Sequence, residues 1–147
     1  MKKIVFMGTP LFAVPILKSI FQKGYEIPLV YTQPPSKSNR GYKLCKSPIQ
    51  IFCEENNLSI RTPENFNKIE DEKKVLEKIE ADMALVVAYG QILPESILDV
   101  CDKGFINIHA SLLPKLRGAA PIQRSIMNLD NETGISIMQI NEKLDQG

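Results

Sequence analysis

Asn107 and His109 stand two residues apart in the stretch Phe105 to Gly118, F-I-N-I-H-A-S-L-L-P-K-L-R-G, and His109 is the chain's single histidine. Along an extended strand the side chains alternate faces, so Phe105, Asn107 and His109 share one side while Ile106 and Ile108 take the other. Alternate residues on a strand are separated by roughly 6 to 7 Å, a spacing at which an amide and an imidazole can hold one small group between them. An amide can donate to an oxygen that gains negative charge, and an imidazole can donate or move a proton. The same pattern also fits an ordinary strand-end histidine beside a buried amide bonded to backbone.

The elements that would position this pair read as an α/β sequence. Lys2 to Met7 carries the continuous apolar run Ile4-Val5-Phe6-Met7, expected of a central strand buried on both faces of a parallel sheet. Gly8-Thr9-Pro10 turns into a helix with Ile16, Leu17, Ile20 and Phe21 on one face and Gly24 as its C-cap. A dinucleotide fingerprint needs G-x-G-x-x-G at this turn, and only Gly8 is present, which argues against a nicotinamide cofactor. A second strand is expected over Ile27 to Thr32, with Pro28 at its start or at an edge. Ser47-Pro48-Ile49-Gln50 reads as a capping box in which Gln50 reaches back, opening a helix to about Asn56. Leu58 to Arg61 makes a short strand. Ile69 to Ile79 makes a helix with Val75, Leu76 and Ile79 inward and its charges on a solvated face without chemistry. Asp82 to Ala88 is another doubly buried strand ending at Tyr89-Gly90, and ligands of open α/β sheets gather at such carboxyl ends. A short helix from Pro94 to Val100, a helix over about Ala119 to Asn128 and a strand with Ile135 and Ile137 on one face follow. Asp145, in the loop-like end Asn141 to Gly147, reads on its own as a turn aspartate.

At 147 residues the chain fits one domain with a single core. Its 18 Lys plus Arg against 17 Asp plus Glu leave a net charge of +1, which gives no global pull toward nucleic acid or membrane. The charge that matters is local: Gln33 to Lys46 holds Lys37, Arg40, Lys43 and Lys46 without an acid among prolines, serines and a glycine. This stretch is expected to be a long mobile loop, either a surface connection or a contact for phosphates. Cys45, Cys53 and Cys101 are odd in number and lack C-x-x-C spacing, which points to reduced thiols in a cytoplasmic protein and away from disulfides or a zinc site. The first apolar run is too short to span a bilayer and has no signal-peptide layout, so no membrane partner is expected.

Asn107-Ile108-His109 followed by Ser111-Leu112-Leu113-Pro114 resembles the signature of the folate-dependent formyltransferase family, and the resemblance runs from Met1 to Gly147. The continuation Arg117-Gly118-Ala119-Ala120-Pro121-Ile122-Gln123-Arg124 is similar to the members that formylate methionyl-tRNA, rather than to the purine-pathway glycinamide ribonucleotide enzymes. The resemblance implies a Rossmann-like open, mostly parallel sheet with helices on both faces. It implies 10-formyltetrahydrofolate as co-substrate, with no metal and no nicotinamide. Asn107 and His109 are implied as catalytic, joined by Asp145 because Asp145-Gln146-Gly147 matches the family's Asp-x-Gly loop. The folate would meet Val87, Ala88, Tyr89, Gly90, Ile92 and Leu93 on one side and Ser111, Leu112, Leu113 and Pro114 on the other. The basic loop, with Asn39-Arg40-Gly41-Tyr42-Lys43-Leu44, is similar to the one that the tRNA-directed members insert toward the acceptor end, which assigns Lys37, Arg40 and Lys43 to initiator methionyl-tRNA. Family members continue past this length with further sheet and helix elements and a β-rich domain that helps to bind tRNA. The chain is therefore expected to be an incomplete catalytic domain, monomeric and poorly active alone. The alternatives are another 10-formyltetrahydrofolate enzyme, a glycinamide ribonucleotide formyltransferase or formyltetrahydrofolate hydrolase, and a non-catalytic folate- or tRNA-binding fragment.

Overall fold

A computed structural model of the protein describes residues 2–37, 43–65 and 69–141. The apolar run near the start forms β1 (Ile4–Gly8), buried at every position, and a single 3-10 turn then leads into α1 (Val14–Gln22). After β2 (Val30–Tyr31) come two short strands, β3 (Ser36–Lys37) and β4 (Leu44–Cys45), then α2 (Pro48–Glu55) and β5 (Ile60–Arg61). The second half runs through α3 (Ile69–Ile79), β6 (Met83–Val87), α4 (Glu95–Leu98), β7 (Phe105–His109), α5 (Pro121–Met127) and β8 (Ser136–Gln139). Six strands make one sheet in the order β5-β2-β1-β6-β7-β8, parallel throughout except for β8, which pairs antiparallel with β7. The expected α/β fold is therefore observed, with β1, β6 and β7 adjacent and their carboxyl ends on one rim.

Parity along the strands divides the core into two layers. Val5, Met7, Tyr31, Ala84, Val86 and Phe105 face Leu76 of α3 and Ile97 of α4, and Phe6, Val30 and Val87 face Leu17 of α1 and Ile49 and Cys53 of α2. Each inner strand presents both parities to apolar neighbours, which is why β1 reads as an unbroken hydrophobic run. Burial pushes the Cys53 thiol up to about 12 and the Cys101 thiol up to about 11, so both are inert packing groups, and all three cysteines are free.

Four local expectations change. The strand expected over Ile27 to Thr32 shrinks to Val30–Tyr31, because Pro28 has no N–H for the ladder. The stretch from Gln33 to Lys46 is no plain loop, since β3 and β4 pair antiparallel within it; residues 38–42, and with them Arg40, lie outside the described residues. Ser47 does cap α2 by accepting from the Gln50 N–H at 3.0 Å, but the Gln50 side chain donates forward to Glu54 at 3.1 Å instead of reaching back. Glu72 of α3 is buried, at 6% exposure, and does not join the solvated face. Ile135 and Ile137 share one side, as expected, and it is the exposed one, at 54% and 71% exposure.

Candidate functional site at the carboxyl ends of β1, β6 and β7

In sequence order the strands spread outward from β1, first through β2 to β5 and then on the other side through β6 and β7 to β8. The order reverses between β1 and β6, and a crevice at the carboxyl ends of the flanking strands is where sheets of this type bind ligands. Gly8 pairs with Val87 across this gap. A Cβ on Gly8 would meet Ala13 Cβ at 2.9 Å and Val87 O at 3.0 Å, so only glycine allows the two strand ends to close.

β7 brings its polar pair to the same rim. Asn107 lies in register with Val86 of β6 and Met138 of β8, and His109 with Ser136. Phe105 sits in the layer of α3 and α4 while Ile108 packs into the layer of α1 and α2. Asn107 and His109 share the parity of Phe105, as expected. His109 is 7% exposed, and its Nε2 lies 2.9 Å from the carbonyl oxygen of Leu116. A carbonyl only accepts, so Nε2 carries a hydrogen and donates it there.

The segment after His109 is shaped by its own polar groups. Ser111 is buried and its hydroxyl donates to Lys115 O at 2.6 Å. Ser136 of β8 accepts from the Leu113 N–H at 3.0 Å and donates to Ser111 O at 2.8 Å, which clamps the turn from the opposite strand. The Leu113–Pro114 peptide is cis, and Leu116 adopts a left-handed conformation with φ of 57° that aims its carbonyl at His109. Among the residues expected to meet folate, Ser111 is thus occupied in holding the turn, while Leu112 is 47% exposed. Neither Ser136 nor Leu116 stood out in the sequence, since a strand serine and a loop leucine carry no local signal of such contacts.

On the β6 side the expected folate contacts fall into two groups. The side chains of Val87 and Tyr89 belong to the core, leaving only their backbone for a ligand, while Ala88, Gly90 and Ile92 are exposed and Leu93 packs partly against the core. Ala88 and Gly90 have φ of 47° and 88°, so the chain turns sharply over the rim. Behind this turn the Thr9 hydroxyl donates to Tyr89 O at 2.7 Å and accepts from the Gln33 N–H at 3.2 Å. Asp145, the third expected catalytic residue, lies outside the described residues, and so do residues 38–42 between Lys37 and Lys43.

Away from the rim, Glu72 accepts from the Tyr31 hydroxyl at 2.7 Å and from Arg61 Nε and Nη2 at 2.9 and 2.7 Å. Burial pushes the Glu72 carboxyl up, but the hydrogen bonds from Arg61 and Tyr31 outweigh it and hold the group below its ordinary range. Burial and the bond to Glu72 push the Tyr31 phenol up, so it stays protonated. Among the described residues no group of three or more His, Cys, Asp or Glu side chains could hold a metal, and no helix is long and apolar enough to cross a membrane.

Known proteins are similar to the chain in sequence, and solved structures are similar to it in fold. The chain is 64% identical over 146 residues to the methionyl-tRNA formyltransferase of Pelagibacter ubique, and 50% identical to that of a Chelativorans strain. Each match covers 99% of this chain and 47% of the relative, so the chain spans about half the length of these curated relatives. The fold is similar to that of the phosphoribosylglycinamide formyltransferase of Bacillus halodurans, with a TM-score of 0.78 at 18% identity over 99% of this chain and 75% of that one. A formyltetrahydrofolate deformylase from Pseudomonas syringae aligns with a TM-score of 0.74 at 20% identity, over 99% of this chain and 48% of that one. With residues 1–147 all matching the formyl transferase family model, the chain belongs to the formyl transferase family.

Proposed function

We propose that these residues form the catalytic half of an enzyme that moves a formyl group from 10-formyltetrahydrofolate to the α-amino group of methionyl initiator tRNA. The observation that carries this reading is the placement of Asn107 and His109 side by side at the carboxyl end of β7, next to the strand reversal. The acceptor is proposed from the relatives named methionyl-tRNA formyltransferase, at identities up to 64%.

The folate supplies an already activated formyl group. An α-amine titrates near about pH 7.7, and esterification lowers that value, so much of the nucleophile is neutral without help from a base. When the amine nitrogen bonds to the formyl carbon, negative charge gathers on the formyl oxygen. The Asn107 side-chain amide donates to that oxygen, and one such donor contributes on the order of 3 kcal/mol to lowering the barrier. His109 stands two residues along the same strand, with its Nε2 held by Leu116 O. Asp145 orients His109 and relays the amine proton, which passes to the folate nitrogen as its bond to the formyl carbon breaks. Val87 to Leu93 and the Ser111 to Pro114 turn flank the folate, and Lys37, Arg40 and Lys43 meet the tRNA.

Formyl transfer by the intact protein, with Asn107→Ala beside the natural residue, tests this. The substitution is expected to cut turnover roughly 100-fold while leaving tetrahydrofolate affinity within a few-fold, since the lost bond matters as charge develops. Equal losses in binding and turnover would make Asn107 a ground-state contact. Preference for glycinamide ribonucleotide over methionyl-tRNA would overturn the acceptor.

A further inference from the structure

Four strand ends meet at the rim through side chains that the chemistry above does not use. The Thr9 hydroxyl, at the end of β1, donates its one hydrogen to Tyr89 O at 2.7 Å, and its oxygen accepts from the Gln33 N–H at 3.2 Å. The first contact reaches the turn after β6 and the second the segment after β2. Gln91 adds a third tie: its Nε2 donates to Gln33 Oε1 at 3.3 Å and to Pro63 O at 2.8 Å, so the segment after β5 joins as well. Gln33 also lies against the turn, its Nε2 being 2.9 Å from where a Cβ on Gly90 would stand.

The ties converge on a turn that has few other restraints. Ala88 and Gly90 are exposed and left-handed, and Ile92 is 89% exposed, so core packing reaches this segment only through Tyr89 and Leu93. The Thr9 hydroxyl acts as donor to one strand end and acceptor from another. Valine has the same shape and can do neither, whereas serine can do both.

We infer that Thr9 is a positioning residue whose hydroxyl, backed by the carboxamides of Gln33 and Gln91, holds the backbone of residues 88–91 in place as the wall for the ring system of the formyl donor. This rests on the formyl-transfer reading. Thr9 touches no reacting atom in this role. Its loss therefore weakens use of the donor and spares the acceptor.

The test compares Thr9→Val and Thr9→Ser with the natural protein in three measurements: amide hydrogen exchange of residues 88–91 against β1 and β6, tetrahydrofolate binding by calorimetry, and the KM values of both substrates. Thr9→Val is expected to speed exchange in 88–91 only and to raise the tetrahydrofolate Kd and the donor KM about tenfold, the worth of one to two hydrogen bonds. The tRNA KM should hold and Thr9→Ser should restore every value to within about twofold of the natural protein, since both bonds return. Unchanged exchange and affinity in Thr9→Val would overturn the inference, and so would equal damage in Thr9→Ser, because packing of the methyl would then be the cause. If the natural protein fails to bind tetrahydrofolate, the formyl-transfer reading falls. The exchange data then decide the positioning role alone: faster exchange in Val restored in Ser supports it, and no change overturns it.

Discussion

Replacing Glu72 by Ala takes the acceptor away from the Tyr31 phenol, which is fully buried, while Arg61 stays partly in water with its side chain 42% exposed. The cost therefore comes mainly from an unsatisfied buried hydroxyl, about 1 to 3 kcal/mol, and should appear as a lower urea midpoint. Tyr31→Phe removes donor and need together and should cost about 1 kcal/mol or less. A larger loss in Tyr31→Phe than in Glu72→Ala would contradict this account. The carboxyl is held below its ordinary value in the fold, so the stability it contributes is complete above the unfolded value of about 4.3 and is lost as pH falls through the lower folded value. Urea midpoints taken from pH 6 down to pH 3 should accordingly fall more steeply in the natural protein than in Glu72→Gln. The sequence did contain a hint of this site, because Glu72 precedes Leu76 by one turn and so shares its inward stripe. Helical period names a face but not its partners, and Tyr31 and Arg61 arrive from two separate strands. Asn107 and His109 were legible for the opposite reason: a strand has only two faces, and parity alone assigns them to one.

Four of the five α-helices described share one way of ending. α1 is followed by Gly24, α2 by Asn57, α3 by Glu80 and α5 by Leu129, all with φ between 51° and 77°. Glycine and asparagine suit this left-handed position, whereas glutamate carries a Cβ that crowds the backbone by about 1 to 2 kcal/mol. Glu80 is exposed and also places a negative charge at the helix carboxyl end, which the dipole disfavours. Glu80→Gly removes both penalties at an entropic cost of about 0.5 to 1 kcal/mol. The net gain should be about 0.5 kcal/mol, visible as a rise in Tm, and a fall in Tm would show that Glu80 makes a compensating contact. Of these ends only Gly24 was readable, because a left-handed glutamate or leucine leaves no mark in composition. α3 itself matched its expected bounds, since eleven residues of clear period leave little freedom. β2 did not, because the apolar pattern from Ile27 onward continues through a proline that the ladder cannot use.

At the scale of the molecule, a net charge of +1 means that the proposed tRNA contact rests on a local patch. Arg40→Ala and Lys43→Ala should each reduce the dependence of log affinity for tRNA on log salt by about 0.7 to 0.9 and leave tetrahydrofolate binding unchanged. An unaltered salt slope would remove the basic stretch from the interface. That β1, β6 and β7 are neighbours was expected, but the side of β1 that they join was not legible, because either side leaves every local pattern unchanged. That order has a consequence during synthesis. Phe6 pairs with Val30 on one side and with Leu85 on the other, and the second closure spans a loop about three times as long, adding about 1 kcal/mol of entropic cost. A growing chain can therefore form the β1–β2 pair early and must wait, with the other edge of an entirely apolar strand bare, until residues 83–87 leave the ribosome. Throughout that interval a strand that the finished fold buries at every position is an open template for another nascent copy, and a chaperone that shields one strand edge would act on it there.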